Sequence, residues 1–154
     1  RIAEHICKAR EEKPICTTEE LENLIWKAVP NQYKHGRIHP ATRTFQALRI
    51  AVNGELPRLR MALINGFKIL KPGGRLGVIS FHSLEDRIVK QFFKDKNRKC
   101  SCPPEWPVCK CGGEKTGEII TKKPIEAGEE EIARNSAARS AKLRALRKLR
   151  EEVV

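Results

Sequence analysis

Nowhere in this chain do about 18 apolar residues run together, and no charged-then-apolar leader is present. The sequence therefore offers neither a membrane span nor an export signal, and the expected location is the cytoplasm. An initiating methionine is also missing. The chain starts at Arg1, and Arg1-Ile2-Ala3-Glu4-His5-Ile6 already reads as the middle of a helix, which predicts a fragment or a missing start. Acidic residues are absent from one long stretch. Arg134 to Arg150 holds seven basic residues and no acidic one, and Arg37 to Arg60 sets five arginines against Glu55 alone. Over the whole chain 31 Lys and Arg outweigh 19 Asp and Glu, a formal charge of +12 that favours a polyanionic partner over a neutral metabolite. Either basic run alone reads equally well as a solvated face. Two in one small chain favour nucleic acid, by the logic of phosphate neutralisation.

At 154 residues the chain can build one domain with a real core, though it is short for a doubly wound enzyme. The most informative stretch is Leu70 to Arg87. Lys71-Pro72-Gly73-Gly74 stops a helix, Arg75 to Phe81 reads as a short buried strand, and Leu84, Ile88, Val89, Phe92 and Phe93 recur at helical spacing. Ser80-Phe81-His82-Ser83-Leu84-Glu85-Asp86-Arg87 thus puts ionisable side chains where a strand hands over to a helix, the usual place for active sites in open α/β sheets.

Upstream, Thr17-Thr18-Glu19-Glu20 is a capping-box start for a helix with Leu21, Leu24, Ile25 and Ala28 on one stripe, closed by Val29-Pro30. A polar loop is expected over Asn31 to His39, with Pro40 in the first turn of the next helix. There Phe45, Leu48, Val52, Leu56, Leu59 and Leu63 form an expected inward seam, opposite a polar face of Thr42, Gln46, Arg49 and Asn53. That face reads as ordinary helix surface or as an RNA- or substrate-facing one.

Residues 99–117 read as a loop carrying Cys100-Ser-Cys102 and Cys109-Lys-Cys111-Gly112-Gly113. Two close thiol pairs can satisfy tetrahedral zinc, although Cys-x-Cys is tighter than the usual knuckle. Disulfides do not persist in the cytosol, so two readings stand: a structural zinc clip on Cys100, Cys102, Cys109 and Cys111, or reduced cysteines without metal. Four thiolates would leave no open position for catalysis. Cys7 and Cys16 are expected to be buried or half-buried helix residues.

His39-Pro40-Ala41-Thr42-Arg43-Thr44-Phe45-Gln46-Ala47-Leu48-Arg49 through Leu56, Pro72 to Leu76 with Val78 to Arg87, and Asn135 to Arg144 closely resemble, in the same order, the bacterial 16S ribosomal RNA cytosine-N4 methyltransferases that use S-adenosylmethionine. The Cys-x-Cys loop is also similar to one found in members of that family. The resemblance covers essentially the whole chain but only the later part of the family's length. It implies an α/β fold: residues 1–54 as part of a helical, RNA-facing insert domain, and residues 55–154 as the later half of a Rossmann-like methyltransferase sheet. It also implies that the principal cofactor-binding residues lie upstream of Arg1.

By the same resemblance the partner is small-subunit ribosomal RNA, with no membrane involved. The strand-end block would sit near the active cleft. An exocyclic cytosine amine has its lone pair drawn into the ring, so an enzyme must position it and polarise it with hydrogen-bond acceptors. His82 is the candidate to orient the base or a phosphate, and Asp86 or Glu85 to accept a hydrogen bond. Against this stands the plainer reading of Ser83-x-x-Asp86 as a helix N-cap. Arg43, Arg49 and Arg139 are the candidates for RNA phosphate contact. Helix propensity favours a helix over Ser140 to Arg150, whereas the resemblance makes Arg139 to Leu146 a terminal antiparallel strand, with the last residues helical or frayed; the strand is expected. The competing account is a non-catalytic basic RNA-binding module, with or without zinc.

Overall fold

The structure, a computed structural model, describes residues 1–36, 38–99, 102, 107–108 and 114–151. The chain divides into two units, Arg1–Gly54 and Glu55–Val154.

The first unit is helical: α1 Ile2–Glu12, α2 Thr18–Ala28, the short α3 Asn31–Lys34 and α4 Pro40–Asn53. Helix α2 starts on the capping box read from the sequence. Thr17 Oγ1 accepts from the Glu20 amide at 3.1 Å, while Glu20 Oε2 accepts from the Cys16 and Thr17 amides at 2.8 and 3.1 Å. The Cys16 amide, followed by Lys13 and the Thr17 amide, holds the Glu20 carboxyl below its ordinary range. Ile25 and Ala28 of α2 and Ala41 and Ile50 of α4 are buried.

Three expectations change in this unit. The polar loop after Pro30 contains α3. The seam along α4 does not form as expected, because Leu48 is 43% and Val52 84% exposed while Ala41 and Ile50 supply the buried contacts. Cys7 and Cys16 are exposed rather than buried. Helix α4 ends at Gly54, whose φ of 59° gives the left-handed cap a Cβ would strain.

The second unit runs α5 Glu55–Ile69, β1 Arg75–Ser80, α6 Ser83–Lys96, β2 Gly117–Ile119, β3 Ile125–Glu126, α7 Glu129–Arg134, a 3-10 turn Ser136–Ser140 and β4 Lys142–Lys148. Strand β4 lies between β1 and β2, also pairs β3, and is antiparallel to all three. The register sets Leu76 opposite Leu146 and Ser80 opposite Lys142. Helix propensity therefore loses to sheet context in β4, as expected. The boundaries shift, since Arg139 and Ser140 belong to the 3-10 turn and the strand runs on to Lys148.

Leu63 and Phe67 of α5, Val89 and Phe93 of α6 and Leu146 of β4 make the core, with Leu76 and Val78 of β1 packed against it. Side chains alternate across a strand, so Gly77 and Ile79 face the other way, and Ile79 is 58% exposed. The turn before β1 uses Gly73 at φ 86°, and it is tied to the end of β4 by Gly73 N–H donating to Lys148 O and Lys148 N–H to Gly74 O, both 2.8 Å. No helix among the described residues is long and apolar enough to cross a membrane.

Candidate functional site

The chain leaves β1 at Ser80 and enters α6 at Ser83, so the two residues between, Phe81 and His82, stand at the carboxyl end of the strand. The helix cap here is His82 rather than Ser83. His82 Nδ1 accepts from the Glu85 amide at 3.3 Å, and Glu85 Oε2 returns the bond by accepting from the Phe81 and His82 amides at 2.9 and 3.3 Å. This is a capping box with imidazole in the place usually held by a hydroxyl or carboxylate.

That cap fixes the tautomer. A ring nitrogen that accepts a hydrogen bond carries no hydrogen, so in the neutral ring the proton sits on Nε2. Nε2 lies 3.5 Å from Glu85 Oε1, has no accessible surface and no partner in hydrogen-bond geometry among the described residues. A carboxylate of Glu55, the first residue of α5, joins the group, with one ligand-type atom each from Glu55, His82 and Glu85 within 4.8 Å of one another. The His82 side chain is only 11% exposed. With Nε2 a donor, the trio does not offer three lone pairs to a metal ion, and it reads instead as two carboxylates gathered about a buried N–H.

Asp86, the other candidate from the sequence, is engaged elsewhere. Both its oxygens are taken by Arg144 of β4, with Nε donating to Oδ1 at 2.7 Å and a terminal nitrogen to Oδ2 at 3.0 Å. The two side chains are 15% and 10% exposed. Arg144 holds the Asp86 carboxyl below the usual aspartate range, and the Asp86 carboxylate keeps the guanidinium charged. Asp86 thus fastens the first turn of α6 to the sheet.

The basic run toward the end of the chain is spent similarly. Lys148 is buried and donates to Lys68 O, Leu70 O and Glu151 Oε2 at 3.2, 2.7 and 2.6 Å, satisfying carbonyls at the end of α5. Lys142 pairs with Glu126, Arg147 with Glu118 and Arg150 with Glu114, while Arg134 donates to Glu130 O. Among the described residues Arg139 alone of the seven has no such partner. Its side chain is exposed in the 3-10 turn, and Arg43 and Arg49 are exposed on α4 of the first unit, about 120° apart around the helix. Of the four loop cysteines only Cys102 is described, half-buried and in no disulfide; the zinc reading on Cys100, Cys109 and Cys111 lies outside the described residues.

A family model described as the MraW methylase family matches residues 1–149. The chain belongs to the MraW methylase family. Among curated relatives, proteins named ribosomal RNA small subunit methyltransferase H from Treponema denticola and Syntrophotalea carbinolica are each 54% identical over 149 residues, and one from Caldicellulosiruptor saccharolyticus is 55% identical over the same length. Each alignment covers 97% of this chain but only 47 to 48% of the relative, so the chain spans about half the length of the curated relatives it matches.

A methylase family implies S-adenosylmethionine, and the described residues do not form a cradle for it. The β1-to-α6 turn contains no glycine, and His82 and Glu85 have already closed the end of α6 where a carboxylate or ribose would seek free amides. The glycine turn at Gly73-Gly74 sits at the opposite end of β1 and is bonded to Lys148. Sequence reasoning named Glu85 only as a substitute for Asp86, and missed Glu55 and Arg144. A His-x-x-Glu spacing before a helix was the available signal for the first. The other two meet their partners only through the folding of α5 and β4.

Proposed function

We propose that this chain is the RNA-facing and sheet-completing portion of an S-adenosylmethionine-dependent enzyme that methylates N4 of a cytidine in small-subunit ribosomal RNA. The observation that carries the reading is the Glu55, His82 and Glu85 group at the carboxyl end of β1, in a chain of the MraW methylase family. An exocyclic amine to be alkylated needs acceptors near its hydrogens, and two carboxylates lie here, that of Glu85 held by the Phe81 and His82 amides and that of Glu55 beside it. In this reading His82 is a positioning residue for Glu85, and Phe81, 55% exposed beside it, offers a ring on which a base can stack. Arg43, Arg49 and Arg139 hold RNA phosphates. The last strand of the chain, antiparallel between two strands that are parallel to each other, supports residues 55–154 as the later half of a Rossmann-like sheet, with residues 1–54 as part of the helical insert. Cofactor contacts come from the part of the family's length that this chain does not span.

The test is transfer of labelled methyl from S-adenosylmethionine to unmodified small ribosomal subunits, by this chain and by a longer one carrying the remainder of the family's length. Labelling by the longer chain alone, recovered as N4-methylcytidine on nucleoside analysis, is the expected result. Label on another nucleoside removes the N4 assignment. If neither chain labels the RNA, a non-catalytic RNA-binding module is the better account.

A further inference from the structure

Away from the strand-end group, helices α5 and α6 leave a groove of about 410 Å³ on the second unit. Its floor is apolar: Leu63 and Ile64 from α5, Ile88 and Phe92 from α6. Phe92 makes an edge-to-face contact with the buried Phe67, ring centroids 6.0 Å apart. The rim is cationic on both helices. Arg60 and Arg87 are exposed, and neither takes part in an ion pair among the described residues, in contrast to five of the seven cations of the later basic run. At one end Gln91 Nε2 donates to Asp95 Oδ1 at 2.9 Å, which leaves the Gln91 carbonyl and the second Asp95 oxygen as acceptors.

We infer that this groove binds a nucleotide of an RNA strand, with the base on the Leu63, Ile64, Ile88 and Phe92 floor and flanking phosphates on Arg60 and Arg87. The charge pattern selects the occupant. A guanidinium presents a planar fork that matches phosphate, and two unpaired forks bordering an apolar, base-sized floor complement a polyanion carrying flat rings. An apolar peptide would leave both arginines without partners. The acceptors of Gln91 and Asp95 suit a base with an exocyclic amine. The inference rests on the ribosomal-RNA reading above and adds to it a second contact surface, on α5 and α6 rather than at the strand end.

The test uses the full chain and a fluorescein-labelled single-stranded RNA of about ten nucleotides containing cytidine and adenosine, with affinity read by anisotropy over a salt series. Arg60→Ala with Arg87→Ala is expected to weaken binding by about tenfold or more and to lower the slope of log affinity against log salt by between about one and two. Arg58→Ala, on the same helix but outside the groove lining, is expected to cost less than about twofold. Ile64→Asp, at a position already 39% exposed, places a carboxylate on the floor and should weaken binding by a similar factor to the double arginine variant. The assignment is overturned if the double variant stays within about twofold of the unaltered chain, if Arg58→Ala loses as much as it does, or if Ile64→Asp binds RNA normally. Failure of the unaltered chain to bind RNA would remove the ribosomal reading itself, a different result from binding that ignores the groove.

Discussion

His39 in the first unit and His82 in the second occupy the same local position. Each stands just before a helix, each accepts from a backbone amide through Nδ1 at 3.3 Å (Ala41 for one, Glu85 for the other), and each turns Nε2 toward a glutamate, Glu22 Oε1 at 3.3 Å or Glu85 Oε1 at 3.5 Å. Their surroundings differ. The His39 side chain is 43% exposed and stacks on Trp26 with ring centroids 5.5 Å apart, whereas His82 is 11% exposed and its Nε2 hydrogen reaches no partner in hydrogen-bond geometry among the described residues. Water can solvate whatever His39 leaves unpaired. Nε2 of His82 has no accessible surface, so the ring is held by its Nδ1 bond to the Glu85 amide, with the two carboxylates close by. One capping device thus serves as ordinary helix punctuation in one place and as the centre of a charged, enclosed group in the other.

The comparison can be broken most severely one turn beyond His82. Asp86→Ala leaves Arg144 charged and enclosed, and is expected to cost about 3 to 5 kcal/mol of unfolding free energy, most of it recovered when Arg144→Met is added; a double-mutant cycle in urea checks this. The same pair sets an acid limb. Because the folded Asp86 carboxyl titrates below its unfolded value, its contribution is complete above the ordinary aspartate value of about 3.9 and is lost as pH falls through the lower folded value. Asp86→Ala should therefore flatten the fall in stability over that acid range, read from urea midpoints against pH.

His82→Ala removes a cap and opens a void, an expected loss of about 2 kcal/mol, against about 1 kcal/mol for His39→Ala. Asn at either position, which can also accept from the amide, should restore most of the cap. Equal losses at the two sites would erase the distinction between exposed and enclosed caps. The smallest effects belong to Arg43→Ala and Arg139→Ala, expected within about 0.5 kcal/mol in stability while weakening RNA binding in a salt-dependent way.

How far the sequence could be read followed how local each signal was. The Thr17 and Glu20 box and Pro40 in the first turn of α4 depend on neighbours three or four residues away, and they form as read. Strand β1 and helix α6 also form, but the strand ends at Ser80 and is buried only there, with Ile79 and Phe81 exposed, because its one described neighbour is the distant β4. The cap on α6 was displaced by one residue because Ser83 looks like a cap and histidine seldom serves as one. Seam residues Leu48 and Val52 illustrate the limit of periodicity, since an apolar stripe is buried only if another element lies against it. The late basic run was least legible. Alternation along β4 turns Arg144 and Lys148 inward, and their partners lie at Asp86, Lys68 and Leu70, far away in sequence. In a row of cations that looked like a solvated face or an RNA patch, Arg144 and Lys148 are buried and three more are engaged in surface ion pairs, and only the folded sheet reveals it.

The place of β4 also bears on the order of events during synthesis. The strand at the middle of the second unit's sheet is made after the β1 and β2 strands it joins, and the ammonium that finishes α5 is Lys148. Until that residue has left the ribosome, β1 has no antiparallel neighbour and Phe67 and Phe93 lack the Leu146 contact that completes their packing. The first unit, whose buried side chains all come before Gly54, is free of that wait. During translation the helical unit can therefore settle while the sheet is still pending, and the interval between the two is when the apolar faces of α5 and α6 most need shielding from other chains.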